Sequence, residues 1–186
     1  MLGQGSKYAK MCGQENYIGA DFEIYMDLSD SLFDNWRDFN EKFIPVWMEN
    51  VPGKSKTSAG LACGFLWTIV KGLKMGDVVL SPSGEGYYYV GTISSDYFYV
   101  PDTDLPHRRK VTWLDQVIYR KDMSEKLRNS SGSVGTCCNL SDYAQEILLR
   151  NRMGMTNVRC TRCFVAISEH AMFMLKPSIM KNHLPR

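Results

Sequence analysis

His107-Arg108-Arg109-Lys110 is a compact basic cluster at the start of an extended run. Arginine and lysine are the main partners of phosphate oxygens and supply affinity without sequence information. The competing reading is a loop of solvated charge. Aromatic runs on either side, Tyr97-Phe98-Tyr99 and Trp113, favour contact with a nucleic acid. Lys54 and Lys56, beside Gly53 and Ser55, are further phosphate candidates, although the Gly-x-x-x-x-Gly-Lys-Ser/Thr order of a P-loop is missing. A nucleobase needs flat apolar faces for stacking and a few polar atoms for its edge. Phe22, Trp67, Tyr97, Tyr99 and Trp113 are the candidate faces, and Asp21 and Ser81 the candidate edge partners. Each ring has a competing use in the core, the commoner fate of aromatics. Asp21 could equally be a turn acid.

Other chemistries find less support. Cys160-x-x-Cys163 has the spacing of half a zinc site, but a structural site wants four ligands. The available completions, Cys137-Cys138 or His170 with His183, are irregularly spaced. A thioredoxin-like reading needs a βαβ setting that is absent. The cysteines are therefore expected to be plain thiols behaving as small hydrophobes, with no metal and no other cofactor. A metal-dependent nuclease needs clustered carboxylates beside a lysine. Here no Glu-x-Lys follows a spaced Asp, Glu125-Lys126 is adjacent, and Glu41-Lys42 falls within a helix. No catalytic residues are assigned. A hydrolase with its site in the C-terminal segment stays open as an alternative.

The elements that must hold these residues follow from periodicity. A short helix is expected from Tyr8 to about Gln14, then a strand Tyr17–Phe22. Ser29 or Asp30 is a candidate cap for a helix carrying Phe33, Trp36, Phe39, Phe43 and Ile44, with a break at Pro45. Pro52-Gly53-Lys54-Ser55 reads as a turn before a helix bearing Leu61, Phe65, Leu66, Ile69 and Val70 and ending near Gly72. Asp77–Leu80 and Tyr87–Ile93 read as a hairpin around Pro82–Gly86. Tyr97–Val100 and Lys110–Leu114 add strands, the makings of a small curled sheet or barrel. A helical turn runs from Asp122 to Leu127, Ser130–Gly135 is a small-residue loop, and Ser141 caps a helix to about Arg150. Phe164–Ile167 reads as a strand and Ala171–Leu175 as a short helix.

The chain has 186 residues, 44% hydrophobic and 23% charged, which is enough for one packed domain with an appendage. Net charge is only +2, but it is unevenly spread. Acidic side chains dominate from Asp21 to Glu49, whereas basic ones dominate from Arg150 to Arg186. A basic end on a slightly acidic body fits attachment to phosphate, or else a solvated tail. No apolar stretch approaches the roughly 20 residues that span a bilayer, and no signal-peptide pattern opens the chain. Reduced thiols and a cytoplasmic location are expected.

Three ordered segments carry a family resemblance: Gly60-Leu61-Ala62-Cys63-Gly64-Phe65-Leu66-Trp67, Lys74-Met75-Gly76-Asp77-Val78-Val79-Leu80, and Tyr89-Val90-Gly91-Thr92-Ile93. Together with Gly3-Gln4-Gly5-Ser6-Lys7, Tyr17-Ile18-Gly19-Ala20 and Pro106-His107-Arg108-Arg109-Lys110-Val111-Thr112-Trp113-Leu114, they resemble the EVE/PUA-like, YTH-related modules of Mrr- and McrB-type modification-dependent restriction systems. Such modules open with a full strand for which Met1-Leu2 leaves almost no room, so a barrel lacking that edge is one expectation. The resemblance covers about residues 1–150. It implies an α+β fold with a PUA-like curled sheet or barrel flanked by helices, followed by a basic appendage at 151–186. It also implies a base-binding pocket, with Trp67 and Phe22 where resembling modules line theirs. The partner implied is DNA, with a modified base read as part of a restriction or defence system. A nuclease or NTPase partner would supply cleavage. An RNA-binding PUA-like module is the other alternative.

Overall fold

The computed structural model describes residues 6–132, 137–150 and 163–166. It is an α+β protein with a curled, mostly antiparallel sheet packed between helices. The chain order is α1 (Ala9–Gln14), β1 (Tyr17–Ala20), α2 (Trp36–Asn50), α3 (Lys56–Trp67), β2 (Val78–Pro82), β3 (Tyr87–Ile93), β4 (Phe98–Tyr99), β5 (His107–Tyr119), α4 (Glu125–Ser131), β6 (Cys137–Asn139), α5 (Ala144–Arg150) and β7 (Cys163–Ala166). The sheet order is β1-β5-β3-β2-β7-β6, with β4 also paired to β5. Only the β2–β7 pairing, among those described, is parallel.

β5 is the spine. Its first residues pair with β1 and β4, and its later ones with β3. Between the Gly91↔Trp113 and Tyr89↔Val117 pairs the register shifts, so Leu114, Asp115 and Gln116 stand opposite Val90 alone. Such a bulge bends a strand and increases its twist, which lets one strand serve two ends of a curled sheet. The sequence reading of Lys110–Leu114 caught only the middle of this 13-residue strand.

Two cores lie on opposite faces. Phe39, Phe43 and Trp47 of α2 and Ala62, Cys63 and Leu66 of α3 pack with Ile18, Val79, Ile93 and Val111. Val78, Leu80, Val90 and Ile118 pack instead with Leu127, Leu140 and Ile147. Neighbours such as Val78 and Val79 point to opposite sides of a strand. A sheet covered on both faces therefore reads as a continuous apolar run. α4 and α5 are joined at Glu146, which accepts from the backbone N–H and hydroxyl of Ser124 at 2.7 and 2.6 Å.

Several boundaries differ from expectation for identifiable reasons. Ser29–Ser31 forms a single 3-10 turn, and α2 starts later, with Asn35 Oδ1 accepting from Arg37 N–H at 2.9 Å. Pro45 does not end α2. The carbonyl it leaves unbonded belongs to Glu41, whose residue is exposed to water. α3 passes into a π-helical turn, Thr68–Gly72, which does end where the sequence placed it. The first strand stops at Ala20, because Phe22 and Glu23 both adopt positive φ, 47° and 55°. Ala171–Leu175 and Cys160 lie outside the described residues. Among the described residues no helix is long and apolar enough to cross a membrane.

Candidate nucleobase cleft

Strand alternation divides the basic cluster. Arg108 and Lys110 point outward, whereas His107 and Arg109 point inward and are 0% and 3% exposed. Arg108 lies over the Tyr17 ring, 4.1 Å from its centre, and donates through Nε to Leu105 O at 2.7 Å. Lys110 is exposed. Lys54 is half-buried before α3, and Lys56 is exposed in its first turn. Neither lysine lines the clefts described below.

His107 is therefore a buried linker rather than a phosphate contact. Its Nε2 faces Ile24 O at 2.6 Å, and since a carbonyl can only accept, Nε2 carries the proton. Nδ1 then accepts from the Tyr97 hydroxyl at 2.9 Å, and that oxygen accepts from Leu28 N–H at 3.2 Å. The Tyr97 ring stacks on the imidazole with centres 5.9 Å apart, and the Tyr99 ring tilts against it at 5.2 Å. Burial depresses the affinity of His107 for a second proton, against weaker opposition from the Ile24 carbonyl and the carboxylates of Asp21 and Asp27. An imidazole held neutral in the fold protonates more readily once unfolded. Its contribution is thus full above the ordinary value of 6.5 and is lost as pH falls below it. Urea unfolding should show stability decreasing from pH 7.5 toward 5.5, and His107→Gln should flatten that decline; a decline of equal depth in the variant would refute the assignment.

Arg109 forms the wall of a cleft. Its Nε donates to Ser95 O at 3.0 Å and its Nη1 to Val70 O at 3.4 Å. Val70 lies in the π-helical turn, and a cation is favoured by the carbonyls at a helix C-terminal end. Burial lowers the guanidinium's proton affinity, opposed by the carboxylates of Asp96 and Asp77, yet an arginine stays charged. Among the described residues no carboxylate approaches it within 4.0 Å, and Nη2 makes no hydrogen bond. The cleft measures about 460 Å³ and is lined by Tyr97, Asp96, Lys71, Lys74, Leu73 and Met75, among others. That falls within the usual range for small-ligand sites, about 300–1,000 Å³. Lys71 also pairs with the exposed Asp34 at 2.8 Å. A second cleft of about 350 Å³ runs between Trp36, the Gly60–Gly64 side of α3 and β6, without a charged residue in its lining.

Phe22 is core, 3% exposed and stacked on Phe65 at 6.2 Å, so it does not wall a base pocket. Trp67 is half-buried with its indole N–H donating to Phe33 O at 2.8 Å, and it borders neither cleft. Trp113 donates to Cys12 O at 3.2 Å, which ties it beneath α1. Ser81 is fully buried within β2, its hydroxyl unpartnered among the described residues. Tyr99 contacts His107 but does not line the cleft. Asp21 stands at the turn whose next two residues have positive φ, with Ile24 N–H donating to Asp21 O at 3.3 Å. Its Oδ1 is buried without a partner among the described residues. Positive φ at two consecutive non-glycine residues costs on the order of 1–3 kcal/mol each and tends to cluster at binding sites. Sequence reasoning missed Asp96, Lys71 and Lys74; Asp96 immediately precedes the Tyr97 it had selected, and that adjacency was the available signal.

Among the described residues no group of three or more His, Cys, Asp or Glu side chains could hold a metal ion. Cys12 and Cys63 are buried free thiols, and Cys137 and Cys138 are half-buried ones.

The fold and cleft define the class: an α+β protein whose curled sheet carries a polar, arginine-walled cleft beside a buried His–Tyr pair. The chain belongs to the family described as "Domain of unknown function (DUF8426)", which matches residues 2–141. No curated protein and no solved structure matches it.

Proposed function

We propose that this protein is a nucleic-acid-binding module that takes one base of DNA, in a modified form, into the cleft beside Tyr97 and Arg109, serving a restriction or defence system whose cleavage is supplied by a partner. The observation that carries the reading is the cleft itself. A buried arginine without a close counter-ion stands beside a tyrosine ring, apolar side chains and two lysines, in a volume suited to a base. Base readers combine such stacking surfaces with a few fixed polar groups. Outside the cleft, Lys110 and Arg108 supply positive charge for the sugar–phosphate chain. The resemblance to EVE/PUA-like modules supports the same reading and supplies its restriction-system context.

Fluorescence anisotropy with methylated, otherwise modified and plain oligonucleotides tests it directly. One modified probe should bind most tightly, and an RNA competitor should displace it poorly. Equal affinity for all DNA probes would reduce the protein to a general nucleic-acid binder, and preferential displacement by RNA would move it to the RNA-binding class. Lys110→Ala should weaken every probe alike and reduce the slope of log affinity against log salt by about 1.

A further inference from the structure

We infer that the base accepted by this cleft is guanine, read on two sides by Arg109 and Asp96. The inference rests on the proposal that the cleft takes a base, and it adds which one. Arg109 is held by two backbone carbonyls, Ser95 O and Val70 O, so its guanidinium plane has a set orientation. Its remaining nitrogen, Nη2, has hydrogen atoms to donate and no acceptor among the described residues. Asp96 borders the same space with an exposed carboxylate that makes no hydrogen bond or ion pair there. Asp96 acts on the Arg109 guanidinium through space but forms no contact ion pair with it, since no Arg109–carboxylate distance falls within 4.0 Å. The cleft therefore offers an oriented donor and a two-oxygen acceptor on its lining, not in contact with each other.

The bases differ in what they offer such a pair. A carboxylate takes two neighbouring N–H groups best, and of the four standard bases only guanine presents them side by side, at N1 and N2. Guanine also presents O6 and N7 as acceptors, the commonest base partners of arginine. Adenine, cytosine and thymine each lack one half of this combination. The Tyr97 hydroxyl is already committed to His107 and Leu28, so this residue brings ring surface rather than a competing polar group. Lys71 and Lys74 also line the cleft, where they can meet a nucleotide's phosphate.

Isothermal titration of the full chain with the 2′-deoxynucleoside 5′-monophosphates of guanine, adenine, cytosine and thymine tests the inference, with deoxyguanosine alone to separate base from phosphate. The guanine nucleotide should bind at least about tenfold more tightly than the others, the size of one good paired contact. Asp96→Asn should lower that affinity by about tenfold. The variant should also raise binding of xanthosine monophosphate, which carries a carbonyl where guanine carries its amino group. Because Asp96 is exposed, its urea midpoint should match that of the parent protein. Tighter binding of another base, or an Asp96→Asn variant that binds deoxyguanosine monophosphate unchanged, would overturn the guanine assignment and leave base reading standing. If no nucleotide bound, the guanine assignment would fall, and base reading would fall with it only if modified and plain oligonucleotides also bound alike.

Discussion

Gly91→Ala is expected to destabilise the protein by about 3 kcal/mol, the upper part of the range for forcing an extra methyl into a packed site. A Cβ at Gly91 would lie 2.5 Å from Val111 Cγ1, 2.7 Å from Trp113 Cε3 and 2.9 Å from Thr112 O. None of these can retreat easily. Val111 is buried in the main core, Thr112 O belongs to the paired strand, and Trp113 is held by its bond to Cys12 O. The close approach occurs beside the β5 bulge, so relief would have to come from the bend that lets β5 pair at both ends of the sheet. Urea denaturation measures the effect, and a variant within about 0.5 kcal/mol of the parent protein, the usual range for an innocuous surface change, would contradict it.

His107→Leu should cost about 3 kcal/mol, because it removes one partner from a buried hydrogen bond and one from a part-buried one, at about 1–3 kcal/mol apiece. Leucine would leave the Ile24 carbonyl and the Tyr97 hydroxyl without their present partner in an enclosed space. A solvated histidine in a phosphate-binding loop would tolerate the same change within about 0.5 kcal/mol. The size of the loss thus separates the two roles. Binding should fall as well, since Tyr97 is oriented by this bond and lines the cleft. Unfolding by urea and nucleotide titration of the variant, taken together, check both halves. Unchanged stability would refute the linker role, and unchanged nucleotide affinity would refute the orienting one.

These residues show how far the chain could be read before it was folded. The hairpin Val78–Pro82 and Tyr87–Ile93 was legible because apolar and aromatic runs flank a turn rich in glycine and serine. The end of the helical run at Gly72 was legible for a similar local reason. The start of α2 was not, since Ser29, Asp30 and Asn35 are all competent caps and only packing of the following helix selects Asn35. Pro45 misled for a related reason. Whether a proline breaks a helix depends on whether water can reach the carbonyl it orphans, and that is a property of the folded surface.

By itself, then, the order of residues determined the mixed α+β character, the hairpin and the positions of most helices, because these follow from periodicity and turn chemistry over a few neighbouring residues. It also marked Tyr97 and the His107–Lys110 cluster as places of interest. Only tertiary structure decided where each of them stands and what it touches. The pleat of β5 turned His107 and Arg109 inward and left Arg108 and Lys110 outside, and the sheet's curl brought Asp96, Lys71 and Lys74 around Arg109. Phe22 and Trp67 were claimed by packing and by the Phe33 carbonyl. Burial and partnership depend on residues far apart in the chain, and no local pattern carries that information.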